Sequence, residues 1–378
     1  MSGAKQQRTV LGLFTGGGGF DLGFERAGFR HVAALEIEPW CARTLRLNRP
    51  DWHVIEGDVH DYEPSLGFHP DVLLAGVPCQ GFSLGGNRNA EDERNVLYKQ
   101  VVRLAKTIKP RIIVIENVLN MRTMTVPGSS FSFISKISSD LTAIGYSVHH
   151  KVLKVSEHGV PQTRRRLLFV AFRDISPAGY HFPTPEPESN IRPFLYDLAQ
   201  GENRNLPNHD PRWGFRSAVH VETGEAFDPA EEVVPVRFSR TASDGFPVRT
   251  FDAPFPAIDT ATVWGWAQGN VQAKRTEKDR AHGKFIRNPK SEVTLWRISA
   301  SRLRSFTDRE YARLQTFPDD WRFLGGNKRD IHLQIGNAVP VVFAERIARN
   351  VALALDCMDQ RIPFVDEESR FTQSLLFA

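Results

Sequence analysis

The 378-residue sequence predicts an α/β fold, with a parallel β-sheet covered by helices on both faces and a smaller, irregular, loop-rich domain. From residue 9 to about 173, short apolar runs alternate with helical patterns, which is typical of such a sheet. From about 174 to 290 this periodicity fails, and regular patterns return after about 295. We therefore expect residues 1–173 and 295–378 to form the main domain, with the C-terminal segment packing back on the N-terminal sheet. Residues 174–294 are expected to form the second domain.

Seven apolar runs are predicted to form strands, and four segments with helical periodicity are predicted to form helices. The predicted strands are Val10 to Phe14, His31 to Glu36, His53 to Glu56, Val72 to Ala75, Arg111 to Ile115, Ser147 to Val152 and Arg166 to Phe172. The predicted helices are Asp21 to Ala27, Pro39 to Asn48, Asn95 to Ile108 and Phe131 to Ile144. In the C-terminal segment, Thr307 resembles the start of a helix, and Val341 to Leu355 carries apolar residues close to one helical face.

The composition argues for a protein of a reducing cytoplasm. Its three cysteines, Cys41, Cys79 and Cys357, lack the spacing of a zinc site or a disulfide framework, so no metal is expected. No apolar run reaches the roughly 18 residues of a membrane span. The formal net charge is only +4, but eight Lys and Arg residues fall between Lys274 and Arg297. This stretch either contacts phosphates or forms a solvated surface.

A glycine-rich turn follows the first predicted strand, in Phe14-Thr15-Gly16-Gly17-Gly18-Gly19-Phe20. Glycines allow a ligand to approach the backbone closely, but this spacing does not meet the GxGxxG pattern of a pyrophosphate-binding turn. Glu36 and Asp58 end the next two strands, where carboxylates can accept hydrogen bonds from ribose hydroxyls and an adenine amino group. These residues favour an adenosyl ligand without phosphates, such as S-adenosylmethionine, over a simple tight turn.

Cys79 directly follows the strand-like run Val72 to Ala75, in a loop rich in glycine. A lone cysteine is more often part of an inert core, but the end of a parallel strand is where α/β folds present reactive groups. Glu116 ends the next strand, so we expect the thiol and this carboxylate to face one crevice. Arg164 and Arg166 are predicted to point to the same side of a further strand, where they can orient a carboxylate or a phosphate.

Six motifs occur in a fixed order along the chain. They are Phe14-Thr15-Gly16-Gly17-Gly18-Gly19, Pro78-Cys79-Gln80, Glu116-Asn117-Val118, Gln162-Thr163-Arg164-Arg165-Arg166, the run from Arg309 to Asp319, and Gln334-Ile335-Gly336-Asn337-Ala338-Val339-Pro340. Together they resemble those of the DNA cytosine-5 methyltransferases, of the bacterial restriction-modification type. The resemblance implies a Rossmann-like S-adenosylmethionine-dependent methyltransferase sheet, with residues 174–294 as a target-recognition domain. It also implies methyl transfer to C5 of a flipped-out cytosine in a specific double-stranded DNA sequence.

The resemblance also implies a role for each catalytic side chain. Cys79 would add to C6 of the cytosine, and Glu116 would hold N3 and the exocyclic amine, which requires a raised pKa. Arg164 would orient the base and steady Glu116, while Arg166 would hold the catalytic loop or a flanking phosphate.

Two larger sets of residues are expected to bind the cofactor and the DNA. S-adenosylmethionine is expected against Phe14, Thr15, Gly16, Gly18, Gly19, Glu36, Ile37, Asp58, Val59, Gly76, Pro78, Leu97, Asn337, Ala338 and Val339. DNA is expected against Gln80, Ser83, Arg88, Arg237, Arg240, Thr260, Trp264, Gln268 and Arg275, with Trp266 as a further candidate for reading bases.

Three alternative functions stay open at this point: a tRNA cytosine-5 methyltransferase, a non-catalytic DNA-binding regulator and a nicotinamide oxidoreductase. A recognition region longer than about 100 residues favours DNA over tRNA by analogy with the family. The presence of Cys79, Glu116 and Arg164 together favours catalysis, and the unmet GxGxxG pattern disfavours a nicotinamide cofactor. We expect a cytoplasmic, DNA-associated monomer with a cognate restriction endonuclease as its genetic partner.

Overall fold

The large sheet contains seven strands in the order β3-β2-β1-β4-β5-β7-β6 within the described part of the chain. The fold is that of a computed structural model, which describes residues 7–65, 67–78, 97–126, 130–174, 176–212, 219–223, 233–238, 251–258, 263–268, 294–298 and 302–364. The strands are β1 (Thr9–Leu13), β2 (Arg30–Glu36), β3 (Val54–Glu56), β4 (Val72–Gly76), β5 (Ile112–Val118), β6 (Tyr146–Lys154) and β7 (Arg165–Arg173). All seven predicted strands are therefore confirmed.

One feature of the sheet differs from the prediction of a parallel sheet. Strands β1 to β5 are parallel, but β7 runs antiparallel to both β5 and β6. The connection between β6 and β7 holds only a short helical turn, Val155–His158, and a few further residues. A parallel crossover needs a dozen residues or more, so this short connection makes the two strands antiparallel neighbours.

Alternate residues of the central strands are buried on opposite faces of the sheet. In β1, Val10 belongs to one apolar cluster and Leu11 to the other, and Val114 and Ile115 of β5 divide in the same way. Strands buried on both faces have continuous apolar sequences, and these are the runs on which the strand predictions rest. The helices near these strands are α1 (Gly19–Arg26), α2 (Pro39–Asn48), α3 (Tyr98–Ile108) and α4 (Phe133–Thr142).

The C-terminal segment packs against the beginning of the chain. It forms α6 (Asp308–Leu314), α7 (Lys328–Asn337) and α8 (Val341–Gln360). Thr307 and Glu310 form a reciprocal capping box at the start of α6, so the predicted helix start is confirmed. Helix α8 lies against α1 so closely that a Cβ on Gly23 would stand 2.4 Å from the Cβ of Ala344.

Two small antiparallel sheets and one helix lie between these parts of the sequence. The helix is α5 (Arg192–Ala199), and the strands are β8 (Val219–Thr223), β9 (Val233–Phe238), β10 (Val263–Gln268), β11 (Thr294–Ile298) and β12 (Arg302–Ser305). The sheets have the orders β12-β10-β9 and β11-β8. The predicted boundary at residue 294 falls inside β11, and the small sheets extend to Ser305. No helix in the described ranges is long and apolar enough to cross a membrane.

Candidate active site

The carboxyl ends of β1, β2, β4 and β5 meet at one edge of the sheet. Gly76, the last residue of β4, pairs with Glu116 of β5, and Phe14 directly follows β1. The Phe14 carbonyl oxygen lies 3.5 Å from the position that a Cβ on Gly76 would occupy. The chain leaves Gly76 through Val77 and Pro78 toward Cys79, which lies outside the described residues. The thiol predicted as nucleophile is thus attached to the strand that pairs with Glu116.

Glu116 forms an ion pair with Arg166 at this edge. Nε of Arg166 lies 2.5 Å from Oε1 of Glu116, and about a tenth of each side chain is exposed. Burial raises the pKa of Glu116 above its ordinary value, and the charge of Arg166 opposes this effect only in part. A buried carboxyl group with a raised pKa can exchange a proton with a substrate, as the sequence analysis requires.

The contacts of Arg164 and Arg166 differ from the roles expected for these two arginines. It is Arg166 that contacts Glu116, whereas Arg164 is buried and its Nη1 donates to the carbonyls of Gly336, at 2.8 Å, and Ile258, at 3.3 Å. The alternation rule fails here because β7 begins at Arg165, so Arg164 lies in the connection before the strand. Arg164 therefore joins distant parts of the backbone and does not steady Glu116.

The glycine-rich turn and Glu36 are in direct contact. The backbone N–H of Gly16 donates to Oε2 of Glu36 at 2.5 Å, and the N–H of Glu38 donates to Oε1 at 2.8 Å. Burial raises the pKa of Glu36, although these two hydrogen bonds favour its charged form. A carboxylate is thus fixed beside a turn whose glycine at position 16 has a φ of 57° and no neighbour within 4 Å of a Cβ position.

The last two glycines of the turn are required by close packing. A Cβ on Gly18 would lie 2.7 Å from Leu45, and one on Gly19 would lie 2.2 Å from the carbonyl oxygen of Val339. Real Cβ atoms do not approach other atoms so closely, so the turn accepts only glycine at these positions. The contact with Val339 brings the end of α7 to the glycine turn.

Five of the other predicted cofactor residues end or follow β1, β2 and β4, and two more follow β3. Val59 is buried in an apolar cluster, and Phe14 and Leu97 are partly buried against it. Ile37 is 56% exposed, which is unusual for a large apolar side chain and suits a ligand-facing position. The remaining members differ in burial. The buried ones are Thr15, Ala338 and Val339, the half-buried ones are Gly76 and Pro78, and the accessible ones are Asn337 and Asp58.

A model of the C-5 cytosine-specific DNA methylase family matches residues 8–352. The chain belongs to this family. The Type II methyltransferase M.NgoMIV of Neisseria gonorrhoeae is 35% identical to it over 351 residues, which are 92% of this chain and 98% of that protein. The Type II methyltransferase M.Eco47II of Escherichia coli is 33% identical over 360 residues, 93% of this chain and 81% of that protein. The chain is accordingly a DNA (cytosine-5-)-methyltransferase.

Solved structures support the same fold. A protein described as a candidate DNA modification methyltransferase of an E. coli prophage superposes with a TM-score of 0.61 at 22% identity, covering 92% of this chain and 99% of that chain. The Dnmt2 methyltransferase of S. pombe superposes with a TM-score of 0.55 at 16% identity, covering 93% and 100%. At these identities the likeness concerns the fold alone.

On the DNA side, the structure corrects one expectation about this methyltransferase. Trp264 is 3% exposed and Trp266 is 0% exposed, and both rings lie in the aromatic core between the β12-β10-β9 sheet and α6. Neither ring is therefore available to read bases. Arg237 lies in β9 and Gln268 ends β10. The other predicted DNA contacts, Gln80, Ser83, Arg88, Arg240, Thr260 and Arg275, lie outside the described residues, as does most of the basic stretch.

Two buried groups near the glycine turn and the end of α7 were not predicted from the sequence. Asp21 is 2% exposed, burial raises its pKa well above the ordinary value, and its Oδ1 would clash with a Cβ on Gly12. The side-chain amides of Gln162 and Gln315 are hydrogen-bonded to each other in the interior. Both glutamines stand inside recognised motifs, but a motif does not show which distant backbone a buried amide will contact.

Proposed function

We propose that this methyltransferase transfers a methyl group from S-adenosylmethionine to C5 of a flipped-out cytosine in a specific double-stranded DNA sequence, through a covalent Cys79–C6 intermediate. The observation that carries the proposal is the pairing of Gly76 with Glu116. The Pro78-Cys79 segment follows β4, and Glu116, an acid with a raised pKa, lies in the adjacent strand β5. Both strands end at the same edge of the sheet. A thiol and a proton donor are the two groups that activation of cytosine needs.

The chemistry follows from the weak nucleophilicity of cytosine C5. The Cys79 thiolate forms a bond to C6, while Glu116 gives or shares a proton at N3, so that C5 becomes enamine-like and attacks an electrophilic methyl group, whose bond to its donor sulfur breaks. A base or water then removes the proton from C5, the C6–S bond breaks to return the thiolate, and the proton at N3 returns to Glu116. Arg166 holds the Glu116 carboxyl in place and adds positive charge where the ring becomes negative.

The residues of the glycine turn fit S-adenosylmethionine, which supplies the electrophilic methyl group when bound. Glu36 offers carboxylate oxygens at the position expected for ribose hydroxyls, and Asp58 is accessible for an adenine amino group. The exposed Ile37 side chain offers an apolar contact for a base. Gly16 leaves the space beside the turn open.

Double-stranded DNA is the proposed substrate and a cognate restriction endonuclease the proposed genetic partner. Membership of a DNA methylase family supports DNA over tRNA. The names of M.NgoMIV and M.Eco47II, both Type II methyltransferases, support a restriction-modification setting in a bacterial cytoplasm.

The proposal is tested by methyl transfer from labelled S-adenosylmethionine to duplex DNA and, separately, to tRNA. We expect label in the duplex alone, and bisulfite sequencing of DNA from expressing cells then gives the methylated cytosine and its context. Label in tRNA alone would overturn the substrate. Duplex with 5-fluorocytosine at the target should trap the wild-type protein covalently and fail to trap Cys79→Ser, because fluorine blocks the final elimination.

A further inference from the structure

The end of α7 is held by a buried side chain from a different helix. The last carbonyls of any helix lack partners within the helix and must find them elsewhere. Gln315, which follows α6, is 0% exposed, and its Nε2 donates to the carbonyls of Ile335, at 2.7 Å, and Ala338, at 3.2 Å. The two hydrogens of one amide group therefore bind the backbone on both sides of Asn337.

The orientation of the Gln315 amide is fixed by a second glutamine. Nε2 of Gln162 donates to Oε1 of Gln315 at 2.9 Å and to the carbonyl of Leu314 at 2.7 Å. Oε1 of Gln315 is thus an acceptor, and its Nε2 must face α7. Gln162 is itself fully buried, so this pair has no competing water at the surface.

The backbone that Gln315 holds also forms a wall of the glycine turn. The carbonyl oxygen of Val339 lies 2.2 Å from a Cβ position on Gly19, and that of Gln334 lies 3.2 Å from one on Gly17. These contacts are so close that a small movement of residues 335–339 changes the shape of the turn. The position of this wall depends on hydrogen bonds from Gln315, which itself has no exposed atom, together with the bond from Arg164 to the carbonyl of Gly336.

We propose that Gln315 is a positioning residue for S-adenosylmethionine, because its amide fixes the turn that carries Asn337, Ala338 and Val339 against the glycine turn. This inference rests on the proposed function, which assigns the cofactor to that turn. Gln315 acts through the backbone and touches neither the cofactor nor the reacting atoms.

The test compares Gln315→Glu with Asn48→Asp in the full-length protein. Asn48 is a matched control, since its Nδ2 also donates to two backbone carbonyls, those of Thr44 at 2.7 Å and Arg322 at 2.8 Å. Neither carbonyl belongs to residues 334–339. Calorimetry measures the Kd of S-adenosylhomocysteine at pH 8 and pH 6, and a melting curve measures folding.

We expect Gln315→Glu to weaken binding about tenfold at pH 8, since the carboxylate cannot donate to either carbonyl, with Asn48→Asp within about twofold of wild type. At pH 6 the deficit should shrink, because burial raises the pKa of the introduced carboxyl and its neutral form can donate once. In turnover, KM for S-adenosylmethionine should rise more than kcat falls. Gln315→Met, which has no donor or charge, should show the same weakening without recovery at pH 6.

Two results would overturn the inference: wild-type affinity in folded Gln315→Met, or equal losses of affinity in the Gln315 and Asn48 variants. A wild-type protein that binds no S-adenosylhomocysteine is a different outcome, because it would overturn the cofactor assignment in the proposed function.

Discussion

Two buried Arg–Glu pairs in this molecule have opposite characters. Glu310 accepts hydrogen bonds from Trp266 Nε1, from the backbone and hydroxyl of Thr307, and from both terminal nitrogens of Arg304, at 2.7 to 3.0 Å. Glu116 has one ionic partner in the described part of the chain, Arg166. A carboxylate with every oxygen engaged joins α6 to the β12-β10-β9 sheet, whereas one with spare acceptor capacity at a strand end can bind a substrate.

The comparison is tested most strongly by Glu116→Gln. The amide keeps the shape of the side chain but cannot donate an acidic proton to cytosine N3, so the single-turnover rate should fall at least about a hundredfold. The loss of unfolding free energy should be smaller than in Glu310→Gln. Near-normal methyl transfer by the amide variant would show that Glu116 has no proton-transfer role.

Glu310→Gln should have the largest effect on stability. It leaves the Arg304 guanidinium, 1% exposed, without a counter-charge, which costs about 3–5 kcal/mol in buried pairs. Denaturant unfolding measures this loss. The control is Glu345→Gln, which breaks an i,i+4 pair with the largely exposed Arg349 and should cost under about 0.5 kcal/mol. Similar losses in the two variants would contradict the structural role of Glu310.

His158 extends the comparison to a buried polar ring whose two nitrogens have no partner among the described residues. Burial lowers its pKa from 6.5 to about 4. Between these values the unfolded state binds the extra proton, so stability rises with pH and is lost as pH falls below 6.5. His158→Leu should therefore reduce the loss of unfolding free energy between pH 7 and pH 5 by about 2 kcal/mol. An unchanged pH dependence would show that the pKa of the ring is the same in the folded and unfolded states.

Arg166→Gln should have the smallest effect, a shift in the pH dependence of the methylation rate. Removing the guanidinium takes away the charge that lowers the pKa of Glu116, so that pKa rises further. Activity that needs the protonated acid should then persist to higher pH, with the alkaline limb of the rate profile moved up by about one unit. Arg165→Gln removes the same charge from an exposed neighbour and should leave the limb in place. An alkaline limb that moves to lower pH would contradict the conclusion that Arg166 lowers the pKa of Glu116.

Local sequence patterns predicted the strands and helices, but the roles of individual side chains depend on contacts between residues that are distant in sequence. The strands of the large sheet were predictable because both faces are buried and each run is apolar throughout. The glycine turn and Glu36 were predictable because they stand at the carboxyl ends of strands that lie side by side. The partners of Arg164 were not, since Gly336 and Ile258 are distant in sequence and lie in segments with no pattern linking them. Trp264 was misassigned because an aromatic strand residue looks the same whether it faces DNA or a core.

The contact between Val339 and Gly19 has a consequence for the order in which the enzyme matures during synthesis. The glycine turn leaves the ribosome early, but its wall is formed by residues that emerge only after the small sheets and α6. We expect a nascent chain to have most of its large sheet while its glycine turn still lacks this wall. The turn is therefore completed only in molecules that have folded through to Val339.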